Sequence, residues 1–288
     1  MSTKMNRKHV KLRLRIPPDQ QDLAADDLLD FGFEGFEMKG DEIEAWIPEM
    51  KFTEDVKDRL KKWLQMQSEG NRKVLGEESV QERNWNEEWE KTITPMSVGR
   101  FFIHPTWSAG TAPPESIPLV IDPKMAFGTG YHETTRLLLR LLPEHVRHGN
   151  RILDMGTGTG ILAIAALQLG GGEATGIDID PWCYDNALEN ARLNGVSDRL
   201  DIRIGSTEQI PADARFDLIL ANINRNILLD LSETLAGHLG PGGILMLSGI
   251  MKEDVDAIST NSHYAAMDRV DKLGENEWRA LVLRKASS

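Results

Sequence analysis

The 288 residues are 40% hydrophobic and 27% charged, an ordinary globular composition with room for one large folded domain and one small one. The net charge of −12 argues against tight non-specific nucleic-acid binding, no apolar run approaches a membrane span, and the basic N-terminus lacks the apolar core of a signal peptide. A single cysteine, Cys183, excludes an intrachain disulfide and a cysteine metal cage, so an intracellular, cytoplasmic protein is the simplest reading.

Val10, Leu12, Leu14 and Ile16 alternate with basic residues, a period of two that predicts a half-buried strand with a basic outer face. Pro17-Pro18 ends it, and Asp19 is placed to cap a helix to about Asp30, with Leu23, Leu28 and Leu29 inward. Two strands follow, one opening at Phe31–Phe36 and one from Glu42 to Ile47, joined by a turn at Gly40-Asp41. Thr53 caps a second helix whose Val56, Leu60, Trp63 and Leu64 form one apolar stripe, and a last strand is expected around Ser79–Arg83. The order βαββαβ predicts a small ferredoxin-like α+β domain over residues 1–83. It carries no catalytic constellation, which leaves a structural appendage or a docking module for a partner. In the connector, 84–98, Trp85 and Trp89 fall on one face of a short helix and are expected to pack onto a domain.

Residues 99–288 read as a second domain. Strands are expected at Arg100–His104 and Ile117–Ile121, then a glycine-bearing loop, Met125–Thr135, and a helix from about Glu133 to Leu142. Ile152-Leu153 ends a buried strand, Asp154-Met-Gly-Thr-Gly-Thr-Gly160 is a glycine loop, and Ile161–Leu167 begins a helix. Strand, glycine loop and helix together aim backbone N–H groups at a ligand, although Ile161 stands where the dinucleotide fingerprint needs its third glycine. Strands at Ala174–Asp178, Leu200–Gly205, Phe216–Asn222 and Ile244–Ser248 alternate with helices, including Ile227–Leu239 and Lys252–Ser262, and a hairpin is expected at Asp268–Leu273 and Trp278–Arg284. This predicts an α/β fold, a mostly parallel Rossmann-like sheet closed by an antiparallel hairpin. Asp154, Gly156, Asp178, Asn222 and Ser248 lie at or near strand ends and should share one rim, where such sheets bind ligands. A carboxylate at the position of Asp178 suits the two hydroxyls of a ribose. The glycine loop alone does not choose between a methyl donor and a dinucleotide.

The Asp154–Gly160 loop with Gly176-Ile-Asp178-Ile-Asp180 resembles motif I and the ribose acid of class I S-adenosylmethionine-dependent methyltransferases. Ala126-Phe-Gly-Thr-Gly-Tyr-His-Glu-Thr-Thr135, Leu220-Ala-Asn-Ile-Asn224 and Leu247-Ser-Gly-Ile250 narrow the resemblance to the PrmA family, which methylates large-subunit ribosomal protein L-eleven (L11). The resemblance implies S-adenosyl-L-methionine as cofactor and four contacts: Thr135 at its methionine end, Gly156 beneath it, Asp178 on the ribose, and Asn222 beside both sulfonium and incoming amine, the one expected catalytic residue. It implies no metal, and a first domain that recognises L11. Two positions depart from the family pattern: Glu133 replaces a proline, and Asn224-Arg225-Asn226 replaces smaller residues near the acceptor.

The expected reaction is in-line attack of an amine on the sulfonium methyl, with no covalent enzyme intermediate. Only a neutral amine has a lone pair, so a lysine must first lose a proton at a cost of about 4–5 kcal/mol at neutral pH, against about 1 for an α-amine. His132 reads as a packing or hydrogen-bonding residue and Cys183 as structural. The other readings are a methyltransferase of a small molecule or RNA, and a non-catalytic cofactor-binding scaffold. Direct reading of nucleic acid is disfavoured by the acidic charge, and no membrane partner is expected.

Overall fold

The structure, a computed structural model, describes residues 8–66, 72–81, 93–123, 128 and 130–287. The chain divides into two compact units, Met1–Glu88 and Trp89–Ser288.

The first unit contains β1 (Lys8–Arg15), α1 (Gln21–Asp30), β2 (Gly35–Lys39), β3 (Glu42–Pro48), α2 (Glu54–Met66) and β4 (Lys73–Gln81). The strands form one antiparallel sheet in the order β2-β3-β1-β4, the ferredoxin-like arrangement expected from the element order. The alternation in β1 does what its period requires: Val10, Leu12 and Leu14 are buried together with Ile16, Ile43, Ala45 and Ile47. Val56 and Leu60 of α2 close over them, and each fully buried aliphatic side chain contributes about 1.5–3 kcal/mol. A single 3₁₀ turn, Pro18–Gln20, leads into α1, which turns Ala24 and Leu28 inward and leaves Leu29 exposed, against the expectation for Leu29.

The outer face of this sheet is also not the basic surface its sequence suggests. The register sets Glu44 opposite Arg13 and Glu42 opposite Arg15. Lys11 pairs with Glu44 at 2.8 Å and lies over the Trp46 ring, and Arg15 pairs with Asp41 at 3.0 Å. The Lys11 ammonium holds the Glu44 carboxyl below its ordinary pKa. Acidic residues on the neighbouring strand therefore offset the basic stripe. Trp85 and Trp89 of the connector lie outside the described residues.

In the second unit, β5 (Met96–Val98), β6 (Phe101–His104) and β7 (Ile117–Val120) form a small separate sheet. The expected strand at 117–121 thus does not join the main sheet. The main sheet comprises β8 (Arg151–Met155), β9 (Glu173–Asp178), β10 (Leu200–Ile204), β11 (Phe216–Asn222), β12 (Leu239–Met251), β13 (Asp268–Glu275) and β14 (Trp278–Arg284), in the order β10-β9-β8-β11-β12-β14-β13. The first five strands run parallel, and β14 and β13 close the edge as the antiparallel hairpin.

Both faces of this sheet are buried. Ile152, Leu218 and Leu220 point into one cluster with α3 (Glu133–His145), α4 (Ile161–Gln168) and α5 (Pro181–Leu193). Leu153, Ile219 and Ala221 point into the other, which includes α6 (Arg225–Asp230), α7 (Ser232–His238), α8 (Val255–Thr260) and α9 (Ser262–Ala265). Residues Ile161–Leu167 of α4 are buried on every side, as an apolar helix at the centre of a domain should be. The single helix expected at 227–239 is two, broken at Leu231, beyond which Ser232 turns inward and accepts a hydrogen bond from Asn261.

Candidate functional site

The register across the parallel strands positions the site. Ile204 pairs with Asp178, Ile177 with Met155, Met155 with Ala221, and Asn222 with Ser248. Asp178, Gly156, Asn222 and Ser248 therefore stand level along the carboxyl ends of β9, β8, β11 and β12. From β8 the chain winds outward to β9 and β10, then returns to place β11 on the other side of β8. The crevice is at that reversal, where open α/β sheets bind their ligands. Asp178 and Asn222 are two inter-strand spacings apart, about 10 Å.

Asp178 is held by the backbone: Oδ2 accepts the Gly158 N–H at 2.8 Å and Oδ1 the Asp180 N–H at 3.0 Å. Each oxygen keeps a lone pair for a further donor. Asp180 caps α5 by accepting from the Trp182 N–H. The loop after β8 is pinned from below, because Gly156 and Thr157 both donate to the Ile177 carbonyl. Gly156 has φ of +74°, and a Cβ there would overlap Ile223 Cγ2, so glycine is required by conformation and by space.

Asn222 and Thr135 are brought together. Thr135 is fully buried in the first turn of α3, and its Oγ1 accepts from Asn222 Nδ2 at 3.2 Å. With its amide N–H used in this way, Asn222 presents its carbonyl oxygen as an acceptor to other donors. All four residues singled out from the sequence thus lie at the crevice. Residues 124–127 and 129 of the preceding glycine-bearing loop lie outside the described residues. Gly128 accepts from Thr159 Oγ1 at 2.6 Å, and Asn190 Nδ2 donates to the Thr159 carbonyl.

Asn186, Asn190 and Asn194 of α5 and the turn after it bond to the main chain at Val120 and Asp122, doing for β7 what a neighbouring strand would do. His132 caps α3 by accepting from the Thr134 N–H and packs against Trp278, the packing role expected of it. Glu133 accepts from its own backbone N–H and from Asn276, which pull its carboxyl below the ordinary value. An acidic residue in the first turn of a helix is stabilising there, as a proline would be for a different reason. Arg225 pairs with Asp254 at 2.6 Å, tying together the segments that follow β11 and β12.

Asp154 is the residue whose environment sequence reasoning missed. It is completely buried, with Oδ2 accepting from Thr157 Oγ1 and the Ala163 N–H and Oδ1 without a partner among the described residues. Burial pushes its pKa up to about 7. Its place at the end of a strand of apolar residues was the available signal.

A family model described as ribosomal protein L11 methyltransferase (PrmA) matches residues 18–286. The chain belongs to the PrmA family. A Porphyromonas gingivalis protein named ribosomal protein L11 methyltransferase is 40% identical over 267 residues, covering 90% of this chain and 89% of that one. A Bacteroides fragilis protein of the same name is 36% identical over 263 residues, covering 90% and 92%. A crystal structure of a ribosomal protein L11 methylase from Lactobacillus delbrueckii subsp. bulgaricus matches with a TM-score of 0.61 at 32% identity, over 67% of this chain and 100% of that one. As a PrmA protein the chain is a methyltransferase on a Rossmann-like fold, and its methyl donor is S-adenosylmethionine. The residues present fit that donor: a fixed carboxylate for two hydroxyls, a glycine-lined approach to the main chain, and polar groups from Asn222 and Thr135 at the other side of the crevice.

Proposed function

We propose that this chain methylates amines of large-subunit ribosomal protein L11, on lysine side chains, the N-terminus or both. The observation that supports this most is the level row Asp178–Gly156–Asn222, closed on one side by the Asn222–Thr135 hydrogen bond. In this reading Asp178 holds the ribose hydroxyls with the two lone pairs left free by Gly158 and Asp180. Thr135 and Gly156 border the methionine end. S-adenosylmethionine supplies a methyl group on a sulfonium, electrophilic without a metal or covalent enzyme intermediate.

Asn222 faces the acceptor. Its Oδ1 accepts an N–H of the incoming amine and turns the nitrogen lone pair toward the donor, while Thr135 prevents the amide from rotating. The contribution is alignment and polar stabilisation rather than proton abstraction. The amine sheds its proton to solvent before attack, which favours an α-amine over a lysine at neutral pH. The first unit serves as the docking element for L11, and the protein works in the cytoplasm. Among the described residues no helix is long and apolar enough to cross a membrane.

Incubation of the full chain with methyl-labelled donor and purified L11 tests the proposal. Label should appear in L11, and peptide mass mapping should place it on amines. Label confined to carboxylates or absent from L11 would overturn the acceptor assignment.

A further inference from the structure

Ile223, the residue after Asn222, lies between two glycines of positive φ, Gly156 at +74° and Gly249 at +82°. On one side its Cγ2 fills the space a Cβ on Gly156 would need. On the other its carbonyl oxygen and carbon fill the space a Cβ on Gly249 would need. Gly249 sits in an irregularity of β12: pairing with β14 shifts register between Leu247 and Ile250, and Ser248 Oγ donates to the Arg279 carbonyl there. The main chain of β12 is thus displaced where Ile223 presses against it, and the outer part of Ile223 packs on the apolar cluster of that face.

Among the described residues, Asn222 itself makes one side-chain hydrogen bond, to Thr135. The β11–β12 ladder fixes its backbone opposite Ser248, and its neighbour Ile223 makes the contact with the glycine loop. We propose that Ile223 is a positioning residue, a β-branched wedge that fixes the distance between the donor loop at Gly156 and the acceptor-facing amide of Asn222. This rests on the reading of Asn222 as the residue that orients the amine. The important feature is the branch at Cβ, since the atom against Gly156 is Cγ2. Bulk matters less. Valine keeps a methyl at each γ position. Leucine has the same atoms as isoleucine but a single γ carbon, so the contact with Gly156 is lost or displaced. A misplacement of about 1 Å remote from the reacting atoms can cost about a hundredfold in rate.

The experiment compares Ile223→Val, Ile223→Leu and Asn222→Ala in the full chain, measuring kcat for methyl transfer to L11, donor affinity by calorimetry, and Tm. The wedge predicts that Ile223→Val keeps kcat within about threefold, whereas Ile223→Leu loses about tenfold or more with donor affinity unchanged. Ordinary core packing predicts the reverse order, because leucine conserves volume and valine removes a methylene. Retention of kcat by the leucine variant, or equal losses of kcat and donor affinity, would overturn the wedge. If leucine unfolds the chain, the valine variant decides, since a loss beyond about threefold there contradicts the proposal. Asn222→Ala separates the two ideas: full activity in that variant refutes the role of Asn222, whatever Ile223 does.

Discussion

The sheet of the first unit and the rim of the second are built from the same kinds of strand and treat polar groups in opposite ways. On the first sheet, Arg15 pairs with Asp41 and Lys39 with Glu37 at a surface where water screens them, and Lys11 and Lys39 both reach the half-buried Glu44. Its positive-φ glycines, Gly32 and Gly40, lie in turns. At the rim, a carboxylate is buried with an oxygen unpartnered, Gly156 and Gly249 bend sharply beside Ile223, and an asparagine amide is fixed by a buried threonine. The first arrangement satisfies local rules and is cheap to alter. The second violates them at a few points, which is where groups remain available for chemistry.

That contrast predicts a graded set of effects. The largest concerns Asp154. Its folded pKa of about 7 lies above the ordinary 3.8, so the native state keeps a proton that the unfolded chain releases. The stability this provides is complete below pH 3.8 and is lost as pH rises to about 7, a change on the order of 4 kcal/mol. Urea titrations across that range should show the loss in the native sequence and not in Asp154→Asn; parallel curves would mean that Asp154 is ionised throughout. Next, Asn222→Ala should lower kcat by about 10²–10³-fold, about 3–4 kcal/mol, and leave donor affinity within about threefold, measured by transfer kinetics and calorimetry. Equal losses in both would leave Asn222 a donor contact alone. Asp178→Ala should weaken donor binding by about 2–3 kcal/mol through two hydrogen bonds to a charged group, and unchanged affinity would remove it from the ribose site. Smallest is the exposed Arg15–Asp41 pair, for which a double-mutant cycle should give a coupling of at most ~1 kcal/mol that shrinks in salt. A much larger value would erase the distinction between the two regions.

Features fixed by local pattern were legible in the sequence. The period of two in β1, the glycine loop between β8 and α4, and an acid closing β9 each followed from spacing alone, and the last two located two strand ends of the rim. Features fixed by register were not. Whether Lys11 is exposed or paired depends on the register between β1 and β3, which sets Trp46 opposite Lys11 and Glu44 opposite Arg13, so that Glu44 reaches Lys11 across the diagonal. The contact of Ile223 with Gly156 joins distant parts of the chain through adjacent strands, so neither residue signals it alone. The break at Leu231 escaped for a related reason: Ser232 turns inward to a partner on a later segment, Asn261, while helix propensity sees only neighbours.

We propose the row Asp178–Gly156–Asn222 as the site of methyl transfer to L11. Intact-mass measurement of L11 after incubation with donor and the full chain tests it most directly. L11 should gain whole methyl increments with the native chain and almost none with Asn222→Ala under saturating donor. Equal methylation of L11 by both would contradict it.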